Sequence, residues 1–183
     1  MTWCVPKDRS IYVAENFRTA EQLEDIASKL ETIARRSPEP VCFEFCSLFA
    51  DVDVFAAMAF VKRMRRNVPE LITVTRLDTC GSAIVVLQAG ARRLITRAGG
   101  MIFRDPITFR NSEIPARIFS DEEQRRLQVA AIESAQLIAD RSRLSMAMIA
   151  HFRSRRHILG PDKILEYFLA DGVKDAPLWN FTG

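Results

Sequence analysis

The stretch LITVTRLDTCGSAIVVLQAG, residues 71–90, contains the pattern that decides the fold. Leu71 to Leu77 are rich in β-branched side chains, which is typical of a strand. The apolar residues that begin at Gly81 predict a helix that continues to Arg93. A strand followed by such a helix is the repeating unit of a parallel sheet covered by helices.

The same alternation precedes and follows this stretch. Further strands are predicted at Ile11 to Val13, Val41 to Cys46 and Met101 to Phe103. One helix begins at the capping box Thr19-Ala-Glu-Gln22 and stops before Pro38. Another helix spans Val52 to Met64. The β-α-β-α-β-α-β order predicts an α/β fold with a mostly parallel sheet.

The second part of the chain is predicted to be helical. The capping box Ser120-Asp-Glu-Glu123 begins a helix that reaches about Arg141. Two shorter helices are predicted near Leu144 to Phe152 and Pro161 to Leu169, and the chain then turns at Asp171-Gly172. No internal repeat or long linker interrupts the chain, so we expect a single domain over residues 1–183.

Composition limits the function classes. The 183 residues include 48% hydrophobic and 27% charged residues, as in folded globular domains, and the net charge of +3 is too small to indicate a nucleic-acid binder. No apolar run approaches the ~20 residues of a membrane-spanning helix. The four cysteines lack CxxC spacing and have apolar neighbours, which predicts core residues in a reducing, cytoplasmic environment. They are Cys4, Cys42, Cys46 and Cys80. No cofactor or metal is expected.

In order and spacing, these elements resemble the proteolytic subunit of the caseinolytic (Clp) protease, within the ClpP/crotonase-like superfamily. The resemblance runs from about Asp8 to Val173. The segment Met64 to Gly90 matches the family's spacing without a gap and ends in Ala89-Gly90. The resemblance is also carried by the opening strand Asp8 to Val13, by Leu94 to Pro106, and by Leu137 to Val173 with Tyr167-Phe-Leu-Ala-Asp171. The resemblance implies a short tail (1–7), a protruding handle and long helix (about 107–141) and C-terminal helices (142–183).

The positions that carry the catalytic triad in this family hold residues here that cannot act as nucleophile, base or orienting acid. The family's serine falls on Gly81, its histidine on Arg104, and its aspartate near Phe152. Glycine has no nucleophile, and a guanidinium with a pKa above about 12 cannot act as a general base. The family's Pro-Gly-Gly loop, which supplies an oxyanion amide, is replaced by Phe49-Ala-Asp51-Val52. We therefore expect no catalytic residues.

Two further interpretations of this site stay open. Ser82, paired with His151, could form a rearranged serine peptidase site, although a shift of one residue at a helix start turns the side chain by roughly 100°. Alternatively, Ser82 caps its own helix and His151 belongs to the basic surface His151 to His157. Asp51 and Arg104 either form an ion pair that fills the cleft, or Arg104 binds an anion or a peptide carboxylate together with Gly81 and Ser82.

The resemblance implies rings of six or seven subunits, stacked or single, as a homo-oligomer or as a mixed ring with an active paralogue. Only Met1 to Lys7 precede the first strand, so coupling to an ATPase is expected to be weak or absent. The expected function is an inactive ClpP-like subunit that forms rings or binds a partner. Two further alternatives are an acyl-CoA enzyme of the crotonase type and a nucleic-acid binder. The second would use the basic stretches Lys62 to Arg66 or His151 to His157, which a solvated basic face explains as well.

Overall fold

The computed structural model describes residues 5–14, 19–46, 54–104 and 120–174. The predicted counterpart of the oxyanion loop, Phe49 to Val52 with Asp51, lies outside the described residues. So do Cys4, most of the predicted tail and residues 107–119 of the predicted handle.

The described strands form two sheets. They are β1 (Ser10–Val13), β2 (Val41–Phe45), β3 (Leu71–Thr75), β4 (Thr79–Cys80), β5 (Arg92–Thr96), β6 (Met101–Ile102), β7 (Ile158–Leu159) and β8 (Gly172–Lys174). The larger sheet has the order β1-β2-β3-β5-β8, with every pair parallel. The smaller has the order β4-β6-β7, in which β4 and β6 are parallel and β7 is antiparallel. The predicted α/β class with a mostly parallel sheet is confirmed.

Six α-helices accompany the described strands. They are α1 (Ala20–Ala34), α2 (Val54–Asn67), α3 (Ser82–Leu87), α4 (Asp121–Ala139), α5 (Met146–Ser154) and α6 (Pro161–Glu166). Both predicted capping boxes are present, since the hydroxyls of Thr19 and Ser120 each accept a hydrogen bond from the amide three residues later. Within the described ranges, no helix combines the length and the apolar character that a membrane span requires.

The larger sheet separates two apolar regions because successive strand residues face opposite sides. Phe43 and Phe45 of β2 belong to the main core, where the ring of Phe43 lies 5.8 Å from that of Phe60 on α2. Cys42, the residue before Phe43, instead belongs to a small cluster with Ile72 and other residues. The main core therefore joins helices to one face of the sheet.

The helix predicted from Gly81 to Arg93 is shorter than expected. It ends at Leu87, and β5 begins at Arg92. Gly90 allows this change of direction because a Cβ atom there would lie 2.4 Å from the Thr73 hydroxyl oxygen. The predicted turn at Asp171-Gly172 is also wrong in part, since Gly172 begins β8, which pairs with β5.

A buried carboxylate lies on the face of the larger sheet opposite to the main core. The side chain of Glu44 is 1% exposed and accepts hydrogen bonds from the guanidinium of Arg76 and, at 3.3 Å, from the ammonium of Lys174. Burial lowers the pKa of Lys174, and the Glu44 carboxylate opposes this shift. The charges of these three side chains compensate one another. They connect β2, which carries Glu44, to Arg76 just after β3 and to Lys174 on β8.

We expect Glu44→Gln to lower the free energy of unfolding by about 3 kcal/mol, because it leaves two partly buried cations without their shared anion. Urea unfolding provides the measurement. The matched control is Glu166→Gln, which breaks an exposed 2.6 Å ion pair with Lys163 and should cost less than about 1 kcal/mol. Equal losses in the two variants would contradict this role of Glu44.

Candidate functional site

Gly81 alone connects β4 to α3. Its backbone has φ 55° and ψ −122°, a region that residues with a side chain rarely adopt. Its amide donates a 3.3 Å hydrogen bond to the carbonyl of Ile102 at the end of β6. The turn is therefore fixed against the smaller sheet.

The turn at Gly81 leaves room for a side chain. A Cβ atom built on Gly81 would meet no heavy atom of the described structure within 4 Å. Hydrolases present a serine nucleophile on a sharp, strained strand-to-helix turn of this kind. The position predicted for the nucleophile thus has suitable backbone geometry, but it carries only a hydrogen atom.

Arg104 follows β6 and lies at the same end of the smaller sheet. In the β6–β7 pair, Met101 faces Leu159 and Ile102 faces Ile158. The amide of Phe103 donates a 2.9 Å hydrogen bond to the carbonyl of His157, so the pairing continues beyond the strand. The pairing ends there, because Arg156 has φ 50° just after the C-terminal end of α5 and is not extended.

Phe152, the predicted position of the triad aspartate, belongs to the core. Its side chain is 8% exposed, its ring lies 5.5 Å from that of Phe103, and it stacks on the imidazole of His157 at 4.6 Å. The sequence analysis missed that Phe152 packs into the core, because its partner Phe103 comes from a distant segment of the chain.

The structure does not join Ser82 to His151. Ser82 is half-buried at the first position of α3, and its hydroxyl makes no hydrogen bond to any residue in the described ranges. His151 is exposed on α5, where its ring lies 6.3 Å from that of Phe152. The proposed peptidase pair stays a prediction.

Two of the described cysteines are buried, as predicted. Cys80 precedes the turn at Gly81, and Cys42 lies in the larger sheet. Burial raises the pKa of the Cys42 thiol to about 12, and a smaller degree of burial also raises that of half-buried Cys46. Because the thiolate is the reactive form, Cys42 and Cys46 are poor nucleophiles at neutral pH.

Comparison with known proteins identifies the fold. No family model matches the chain, and no curated protein sequence matches it. A solved structure of a ClpP1 mutant from Listeria monocytogenes is similar, with a TM-score of 0.73, 15% sequence identity and coverage of 92% of each chain. An identity of this size shows the fold alone. The two-sheet arrangement described above is therefore a ClpP-like fold, as the sequence resemblance predicted.

Proposed function

We propose that the chain is a catalytically inactive ClpP-like subunit that forms rings or binds a partner protein. The observation that carries this proposal is the turn at Gly81. Its backbone geometry suits a nucleophile, but the residue has no hydroxyl or thiol that could attack a carbonyl.

The neighbouring positions support the same proposal. A serine nucleophile needs a base that accepts its proton and a third group that orients the base. The guanidinium of Arg104 offers only hydrogen-bond donors and no acceptor for that proton. Several substitutions would therefore be needed to restore catalysis.

Assembly is supported by the surface of α4. Leu127 and Ile138 are buried against the body, whereas Val129 is 54% and Ile132 is 61% exposed. Residues three apart lie on the same helix face, so the two exposed side chains form one apolar patch. Such patches favour contact with another protein. We assign this patch to a second copy, in rings of six or seven that are stacked or mixed with an active paralogue.

The same proposal places the protein in the cytoplasm, where buried thiols such as Cys42 and Cys80 stay reduced. Coupling to an ATPase is proposed to be weak or absent. Neither nucleic acid nor a membrane is proposed as a partner.

We expect a fluorophosphonate probe to leave the wild-type protein unlabelled, because Ser82 lacks a hydrogen-bonded base among the described residues. Intact-protein mass spectrometry measures the adduct. Ser82→Ala and His151→Ala are the comparison variants. Stoichiometric labelling that disappears in both would establish the rearranged peptidase and refute the inactive subunit.

We expect Gly81→Ser to remain unlabelled as well, because Arg104 cannot activate the new hydroxyl. The variant should lose about 1 kcal/mol of unfolding free energy, since serine is strained at positive φ. Gly160→Ser is the matched control, because Gly160 also has open space around its Cβ position but has φ −77°. Equal free energies of unfolding for the two variants in urea would show that a residue with a side chain is not strained at position 81.

We expect Ile132→Asp to reduce the mass of the assembly in solution, because a charge would be placed in the apolar patch of α4. Light scattering coupled to size exclusion provides the mass. Ala150→Asp introduces the same charge at an exposed site of α5 and should leave the mass unchanged. A wild-type monomer, or equal effects of both variants, would contradict the assignment of the patch.

A further inference from the structure

The first strand, β1, forms one edge of the larger sheet. Among the described strands it pairs only with β2. The amide of Cys46 donates a 3.0 Å hydrogen bond to the carbonyl of Val13, so the backbone groups of Val13 point to β2. Because this direction alternates along a strand, the amide and carbonyl of Tyr12 point away from β2. An edge of this kind can accept a further strand.

An open groove of about 360 Å³ lies between β1 and α1. Its apolar part is formed by Ile11 of β1 and Ile33 of α1, which are both half-buried. Lys29 and Arg36 lie on the same face of α1 as Ile33, four residues before it and three after it. The groove therefore offers a short apolar contact between two cations.

The groove is positively charged because the acidic residues of α1 are used elsewhere. Its lining includes Lys29 and Arg36, which are exposed, and no acidic residue. Glu24 and Glu31 both pair with Arg63 of α2, on another flank of α1. Lys29 does form a 2.6 Å ion pair with Asp25, but both side chains are at least 60% exposed, and such pairs are weak. An acidic partner is therefore complementary to this groove.

We infer that this edge and groove bind an extended acidic segment of a partner protein, which adds a strand to β1. Alternate residues of a strand face the same side, so the pattern acidic-x-apolar-x-acidic suits the groove. Its apolar residue contacts Ile11 and Ile33, and its carboxylates lie near the two cations. The lengths agree, because α1 rises about 10 Å from Lys29 to Arg36 and the two acidic positions are about 13 Å apart.

The inference rests on the partner-binding part of the proposed function and names the class of partner. The probe is the peptide fluorescein-Ser-Glu-Thr-Ile-Thr-Glu-Ser-amide, and fluorescence anisotropy measures its binding to the full chain. We expect saturable binding. Replacing both glutamates of the peptide by lysine should weaken it by about tenfold or more. Methylating the amide nitrogens of the isoleucine and the next threonine should weaken it similarly, because one of two successive amides must face β1.

Charge reversal in the groove provides the matched test. Lys29→Glu combined with Arg36→Glu should reverse the preference, so that the lysine peptide binds more tightly than the glutamate peptide. The control combines Lys62→Glu with Arg66→Glu, which changes the net charge equally at exposed positions of α2. This control should keep the preference of the wild-type protein for the glutamate peptide.

Several results would overturn the inference. They are no saturable binding by the wild-type protein, equal binding of the methylated peptide, and the same reversal of preference in the α2 control. Light scattering tests a second copy as the occupant, since a lower assembly mass in the groove variant alone would assign the edge of β1 to that copy. Labelling by fluorophosphonate would refute the inactive cleft without affecting peptide binding, and a failure of peptide binding would leave the inactive cleft standing.

Discussion

The turn between β4 and α3 is the constraint on which the site depends. The chain must change from a parallel strand to a helix that is buried from Ala83 to Leu87 within one residue. Gly81 does this at positive φ while its amide remains bound to β6. Strain at such a position is usually tolerated because it serves catalysis. Glycine adopts this backbone without strain and offers no nucleophile, so the turn forms here without a side chain.

The order of most strands and helices could be predicted because their signals are local. The two capping boxes lie within four residues each, and the pattern from Leu71 onwards decides the parallel class. β5 and β8 were missed because they depend on pairing between distant segments, with Leu94 opposite Gly172. Gly90, between α3 and β5, approaches Thr73 closely, and no local sequence pattern predicts this contact.

Some features of the candidate site could likewise be predicted from local sequence, and others could not. Gly81 and Arg104 were identified through the family resemblance of two segments, Met64 to Gly90 and Leu94 to Pro106. The structure places both residues at one end of the smaller sheet. Phe152 was assigned to the cleft, but stacking with His157 and contact with Phe103 place its ring in the core. Packing of aromatic side chains from distant segments has no short-range sequence pattern.

The most direct test of an inactive cleft is the pre-steady-state reaction with an activated peptide ester. A covalent mechanism whose deacylation is slower than its acylation releases one leaving group per subunit before steady turnover. Our account predicts no burst and a steady rate equal to that of buffer containing unrelated protein. A burst that approaches one equivalent per chain would contradict it and require a nucleophile at a position other than Gly81, such as Ser82.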